Sequence, residues 1–182
     1  MSIAQVAGMA VVGAATLHVS AAVEPGPVPA SHEVPLFSVS KSENKNQVQY
    51  ATKADDQCVP ASGEPVYAYW RMFEQGASRT APLLDREIRA YGIMSQRLLE
   101  RGAKGGSARL TLRAMPSRPI LVETSLMSDG TCQAWSTITI AGAPAHLYNV
   151  HVKLRWPIGV DYVLLQGWSM DGKHMVSEKL TD

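Results

Sequence analysis

Between Tyr148 and Trp156 the chain alternates without a break: Tyr148, Val150, Val152, Leu154 and Trp156 are apolar, and Asn149, His151, Lys153 and Arg155 between them are polar. A period of two sends the two sets to opposite sides of a strand, so the segment predicts a ribbon with one buried and one wet face. The same pattern recurs in Leu36 to Ser42, Gln47 to Lys53, Pro65 to Phe73, Ala108 to Met115, Pro119 to Leu126, Thr131 to Ile140, Val160 to Ser169 and Lys173 to Leu180. Asp129-Gly130 and Asp171-Gly172 fall between such segments and supply the positive-φ positions of tight hairpins. Strands joined by short turns predict a mainly-β domain, an antiparallel β-sandwich or barrel of about eight to ten strands.

One segment departs from the period. In Pro82 to Leu98 the residues Leu84, Ile88, Tyr91 and Leu98 follow helical spacing. Thr80 suits a cap, Pro82 a first turn, and Asp85 and Glu87 the positive end of a helix dipole. Gly92 suits the stop, so a short helix is expected near 82–90, followed by an irregular strand through Ile93 and Met94. The loop from Arg101 to Gly106 comes next.

Outside the domain, residues 1–23 contain no Asp, Glu, Lys or Arg and close on small residues at Val19 to Ala22. Residues 1–22 therefore resemble an export signal, although no basic residue opens it. A membrane anchor is the rival, weakened by Gln5, Thr16, His18 and Ser20 within a run rich in Ala and Gly; a cytosolic protein with an apolar N-terminus is the third. Residues 23–35 carry Pro25, Pro27, Pro29 and Pro35 and are expected to be an extended linker, with no helix or comfortable strand pairing. Residues 36–182 then form a single β-domain. Periplasmic or secreted placement follows from the signal, with membrane association only through that segment if it stays uncleaved.

Cys58 and Cys132 are the only cysteines. In an oxidising compartment an even count suggests a bridge, which would restrict the unfolded chain by roughly 4 kcal/mol. Two buried thiols are the alternative.

Three clusters carry a family resemblance: Ser42-Glu43-Asn44-Lys45-Asn46-Gln47-Val48-Gln49-Tyr50, Pro65-Val66-Tyr67-Ala68-Tyr69-Trp70, and Ala90-Tyr91-Gly92-Ile93. With Val160-Asp161-Tyr162 to Gly167 and Gly172 to Glu178, the chain resembles the bacterial family catalogued as domain of unknown function 4833 over nearly all of 36–182. The resemblance implies small bacterial proteins, commonly exported, and no established activity to carry over.

Catalytic signatures are sparse. His146 and His151 are five apart on a predicted strand and point to opposite faces, so no metal set is assigned. Gly167-Trp168-Ser169-Met170-Asp171 lacks the second glycine of a nucleophile elbow. Asp85 and Glu87 do not share a helix face and are assigned to the helix terminus. No phosphate-cradling loop precedes a helix, and no cofactor is assigned.

Two groups remain for binding. Asn44, Asn46, Tyr69, Trp70 and Tyr91 combine amides with amphipathic rings, the chemistry that holds sugars, peptides or other small ligands; a turn plus ordinary core residues is the alternative. Between Arg71 and Arg118 ten basic residues face four acidic ones, a local balance of +6 within a chain of net charge +1. Arg109 and Arg113 are expected on one strand face with Thr111, suited to an anionic envelope polymer or a protein partner, against the alternative of a solvated face. No motif accompanies them that would read nucleic acid. The leading expectation is thus a non-catalytic, exported β-domain that binds a ligand or partner in the cell envelope. A hydrolase using His151 and Asp161 would need a hydrogen-bonded histidine–carboxylate pair in a concave pocket. A structural domain that self-associates through an exposed edge is the third reading.

Overall fold

A computed structural model describes residues 32–41, 45–75, 79–155 and 160–181. The expected export signal, the linker before His32, and Asn44 lie outside the described residues. The strands are β1 (His32–Lys41), β2 (Gln47–Ala54), β3 (Val66–Arg71), β4 (Thr80–Pro82), β5 (Ile93–Gly102), β6 (Gly105–Leu112), β7 (Met115–Leu126), β8 (Cys132–Ile140), β9 (Ala143–Leu154), β10 (Val160–Ser169) and β11 (Met175–Leu180). The one α-helix among the described residues, α1, spans Asp85–Tyr91, and a 3-10 turn occupies Phe73–Gln75.

The fold is mainly β and sandwich-like, as the alternation implies, and the sheet does not close into a barrel. Hydrogen bonding follows the order β4-β3-β2-β1-β9-β8-β7-β6-β5, with β10 on the other edge of β9 and β11 on β10. Strand β9 joins the two halves because one edge serves two partners. Its first residues pair antiparallel with β8, Ala143 to His146 against Thr137 to Ile140. Further along, Asn149 to Val152 pair parallel with Ser38 to Lys41 of β1. Among the described residues the sheet thus has eleven strands and one parallel joint, where about eight to ten antiparallel strands were expected.

The inward faces meet in one core, from Phe37, Val39, Val48, Tyr50 and Val66 to Leu110, Ile120, Val122, Ile138, Val150 and Leu165. Phe37 and Tyr50 stack with centroids 4.5 Å apart. Removing such large side chains from water is the main favourable contribution to a domain of this size.

Four expectations need correction. First, β1 begins at His32, inside the expected linker, and Pro35 sits opposite Ala51. Proline is tolerated there because β9 joins β1 only from Ser38 onward, which leaves Pro35 on a stretch with β2 alone as its paired strand.

Second, Ala108 to Met115 is not one strand: β6 stops at Leu112, Arg113-Ala114 turns, and β7 begins at Met115, which pairs with Leu112. Third, Tyr148 does not belong to the buried face. It is 59% exposed, whereas Leu147 and Val150 on either side of it are buried. The partner strand explains this: Asn149 faces Gln166 and Leu147 faces Gly167, so Tyr148 is an extra residue and the inward phase slips by one.

Fourth, the helix is shifted and differently capped. Thr80 and Pro82 lie in β4, and the extended Leu84 stands at the N-cap. Its N–H donates to Glu87 Oε2 at 2.9 Å, half of a capping box. Gly92 does end the helix, its N–H donating to Ile88 O. The two Asp-Gly turns also stand as expected, with φ of 83° at Gly130 and 70° at Gly172.

Cys58 and Cys132 are joined by a disulfide, their Cα atoms 5.4 Å apart. Cys58 has φ of 59°, unusual for a residue with a Cβ. The loop that imposes it is held by Asp55, whose Oδ1 accepts from Gln57 N and Val59 N, and by Thr124, whose hydroxyl donates to Cys58 O at 2.6 Å.

Candidate ligand-binding site

A cavity of about 330 Å³ opens where the end of β1, β3, β4 and the start of α1 converge. Such a volume lies at the small end of ligand pockets, roughly 300–1,000 Å³. Its walls are Trp70, Met72, Ala81, Pro82 and Leu84, with Lys41, Asn46 and Glu87 as the polar members.

Each side chain has a local reason to be there. Trp70 is on the inward face of β3, opposite Val48 on one side and Ala81 on the other. Glu87 and Tyr91 are four apart on α1 and so share a helix face, which both turn toward Trp70. The indole Nε1–H donates to Glu87 Oε2 at 2.8 Å, and Tyr91 meets the indole edge-on at 6.0 Å and 77°. Tyr91 is fixed from below, its carbonyl accepting the hydroxyl of the buried Tyr50.

Electrostatics at Glu87 are set by competing effects. Burial pushes its pKa up, but the Leu84 N–H, the Trp70 indole N–H and the Arg86 and Lys41 cations together hold it below the usual carboxylate value. The cavity is therefore lined by an ionised carboxylate as well as an ammonium. Asn46 is oriented by Glu74: Asn46 Oδ1 accepts Glu74 N at 3.2 Å, and its amide donates to Glu74 Oε2 at 3.4 Å.

The sequence-derived residues divide among several places. Asn46 and Trp70 line this cavity, and Tyr91 packs behind Trp70. Tyr69, next to Trp70 on the strand, points to the opposite face of the sheet. There it stacks on Tyr67 at 5.7 Å and donates to Glu33 Oε1 at 2.6 Å. Burial, then the Glu33 carboxylate, pushes the Tyr69 phenol up to about 12.

Arg109 and Arg113 do not share a strand face, a correction that follows from the break after Leu112. Arg109 is exposed on β6 directly opposite Arg97 of β5, whereas Arg113 is in the turn with its N–H on Gly92 O. Arg118, at the end of the basic segment, pairs with Glu178 through two bonds of 2.8 and 2.7 Å.

Lys41 and Met72 escaped the sequence reading, and Leu84 and Glu87 were read there only as helix residues, Glu87 at the helix terminus where it does sit in the capping box. A signal existed for two of them: Lys41 borders the cluster that begins at Ser42, and Glu87 is one helical turn before Tyr91. Among the described residues the hydrolase pair is not assembled. His151 Nδ1 lies 3.2 Å from Ser40 Oγ, a hydroxyl where that mechanism needs a carboxylate. His151 instead belongs to a polar row on the outer face, in which Asn149 accepts from Ser38 and donates to Gln166.

A family model described as Domain of unknown function (DUF4833) matches residues 37–179. No curated protein and no solved structure matches the chain.

Proposed function

The chain belongs to this family of unknown function, and from the site's geometry we propose that it is a non-catalytic β-domain that holds a small ligand in the Trp70 cavity. The observation that carries the proposal is the convergence of three separate sequence clusters on one concavity. Asn46 belongs to the first and Lys41 directly precedes it, Trp70 ends the second, and Tyr91 in the third supports the indole. Apolar walls with a few fixed polar groups are what a small-molecule site requires.

The Cys58–Cys132 disulfide supports a working place in an oxidising space such as the bacterial envelope. Among the described residues no helix is long and apolar enough to cross a membrane. The charge-poor N-terminal segment supports export.

The test uses the full chain and an uncharged probe, 3-methylbutan-1-ol, followed through the indole N–H resonance of Trp70 in nitrogen-correlated NMR. Saturable shifts at Trp70, lost in Met72→Glu, support the site. Saturation elsewhere with Trp70 unmoved overturns it.

A further inference from the structure

Lys41 and Glu87 line the same cavity, yet among the described residues no ion pair of 4.0 Å or less joins them. Opposite charges that face one small concavity without closing on each other leave a gap for a dipolar guest. Both polar ends of such a guest would be matched, one by an ammonium and one by a carboxylate, through charge-assisted hydrogen bonds. Glu87 retains the means to do so: its bonds from Trp70 and Leu84 both fall on Oε2. The indole, Met72 and Leu84 supply an apolar wall alongside.

Resting on the reading of this cavity as a ligand site, we propose that its ligand class is a small zwitterion with an apolar side chain, an α-amino acid of the leucine or methionine kind. The carboxylate is received by Lys41, the ammonium by Glu87 beside the Trp70 ring, and the side chain by Met72 and Leu84. An ammonium near an indole gains further from the negative face of the ring. A longer peptide is disfavoured, because it separates its two end charges by more than one residue and the cavity is small.

Titration of the full chain with L-leucine, L-leucinamide, N-acetyl-L-leucine and 3-methylbutan-1-ol tests the proposal, with the Trp70 indole resonance as readout. Leucine is expected to bind roughly tenfold tighter than each analogue that lacks one charge. Lys41→Met should erase the difference between leucine and leucinamide, and Glu87→Gln the difference between leucine and its N-acetyl derivative. If the alcohol moves Trp70 and leucine binds no tighter than the alcohol, the zwitterion proposal fails while the cavity stands. If neither compound moves Trp70, both fall.

Discussion

Two carboxylates in this domain are both held ionised by N–H donors, yet they differ in how many of their oxygens those donors occupy. Glu178 of β11 accepts Arg118 through both oxygens and takes the Ala141 N–H at 2.8 Å on Oε2. Glu87 of α1 accepts an indole N–H and a backbone N–H, both on one oxygen. The first arrangement is closed: each oxygen has a partner, and Arg118 also ties to Thr139 O. The second is more open: both bonds fall on Oε2, and the side chain lines the cavity. Fixing a carboxylate through both oxygens stitches strands together, whereas fixing it through one orients the charge at the cavity, where the proposed ligand would meet it.

The largest expected effect is at the closed pair. Arg118 and Glu178 have side chains 28% and 23% exposed, so removing one partner strands a partly desolvated charge. Glu178→Ala should cost about 2 kcal/mol in urea unfolding. A loss below about 0.5 kcal/mol would show that the pair acts as an ordinary surface bridge.

Acid titration sharpens the contrast. The Arg118 hydrogen bonds, then the Ala141 N–H, hold Glu178 down from 4.5 to about 2 against the opposing effect of burial. A depressed carboxylate stabilises the fold fully above its unfolded value and loses that contribution as pH falls through the folded one. The window is therefore between about pH 4.5 and 2, and the amount, after allowance for solvent screening, is on the order of 1–2 kcal/mol. Glu178→Gln should flatten that part of the stability profile relative to the unsubstituted chain.

At the open carboxylate the same substitution should hardly matter to folding. Glu87→Gln keeps an oxygen that accepts the Leu84 N–H, so its cost should stay below about 1 kcal/mol. A cost equal to that of Glu178→Ala would break the distinction between the two sites. Smallest of all is Tyr69→Phe on the outer face, about 0.5 kcal/mol, since only its bond to Glu33 is removed.

Much of the scaffold was legible in residues. Asp129-Gly130 and Asp171-Gly172 mark turns because only their glycines accept positive φ at low cost. What could not be read is where the alternation slips. The string from Ala108 to Met115 stays apolar enough to resemble one strand, and only the pairing of Leu112 with Met115 reveals a turn. Tyr148 fits the period of two perfectly and is nonetheless outward, because a bulge is decided by the register with β10. The site was half visible for a related reason. Trp70 and Asn46 advertise recognition by residue type, but Lys41 looks like any solvated charge and Glu87 like a helix-terminal one until β1 and α1 bring them to one cavity.

The divided edge of β9 also bears on how the molecule is made. Ser38 and Asn149 are 111 positions apart and hydrogen-bond side chain to side chain, so β1 obtains its second neighbour only after most of the polypeptide has been synthesised. Until then the N-terminal hairpin offers bare amides and carbonyls to any passing strand. A nascent chain that threads unfolded through a narrow conduit and matures on its far side would avoid that exposure.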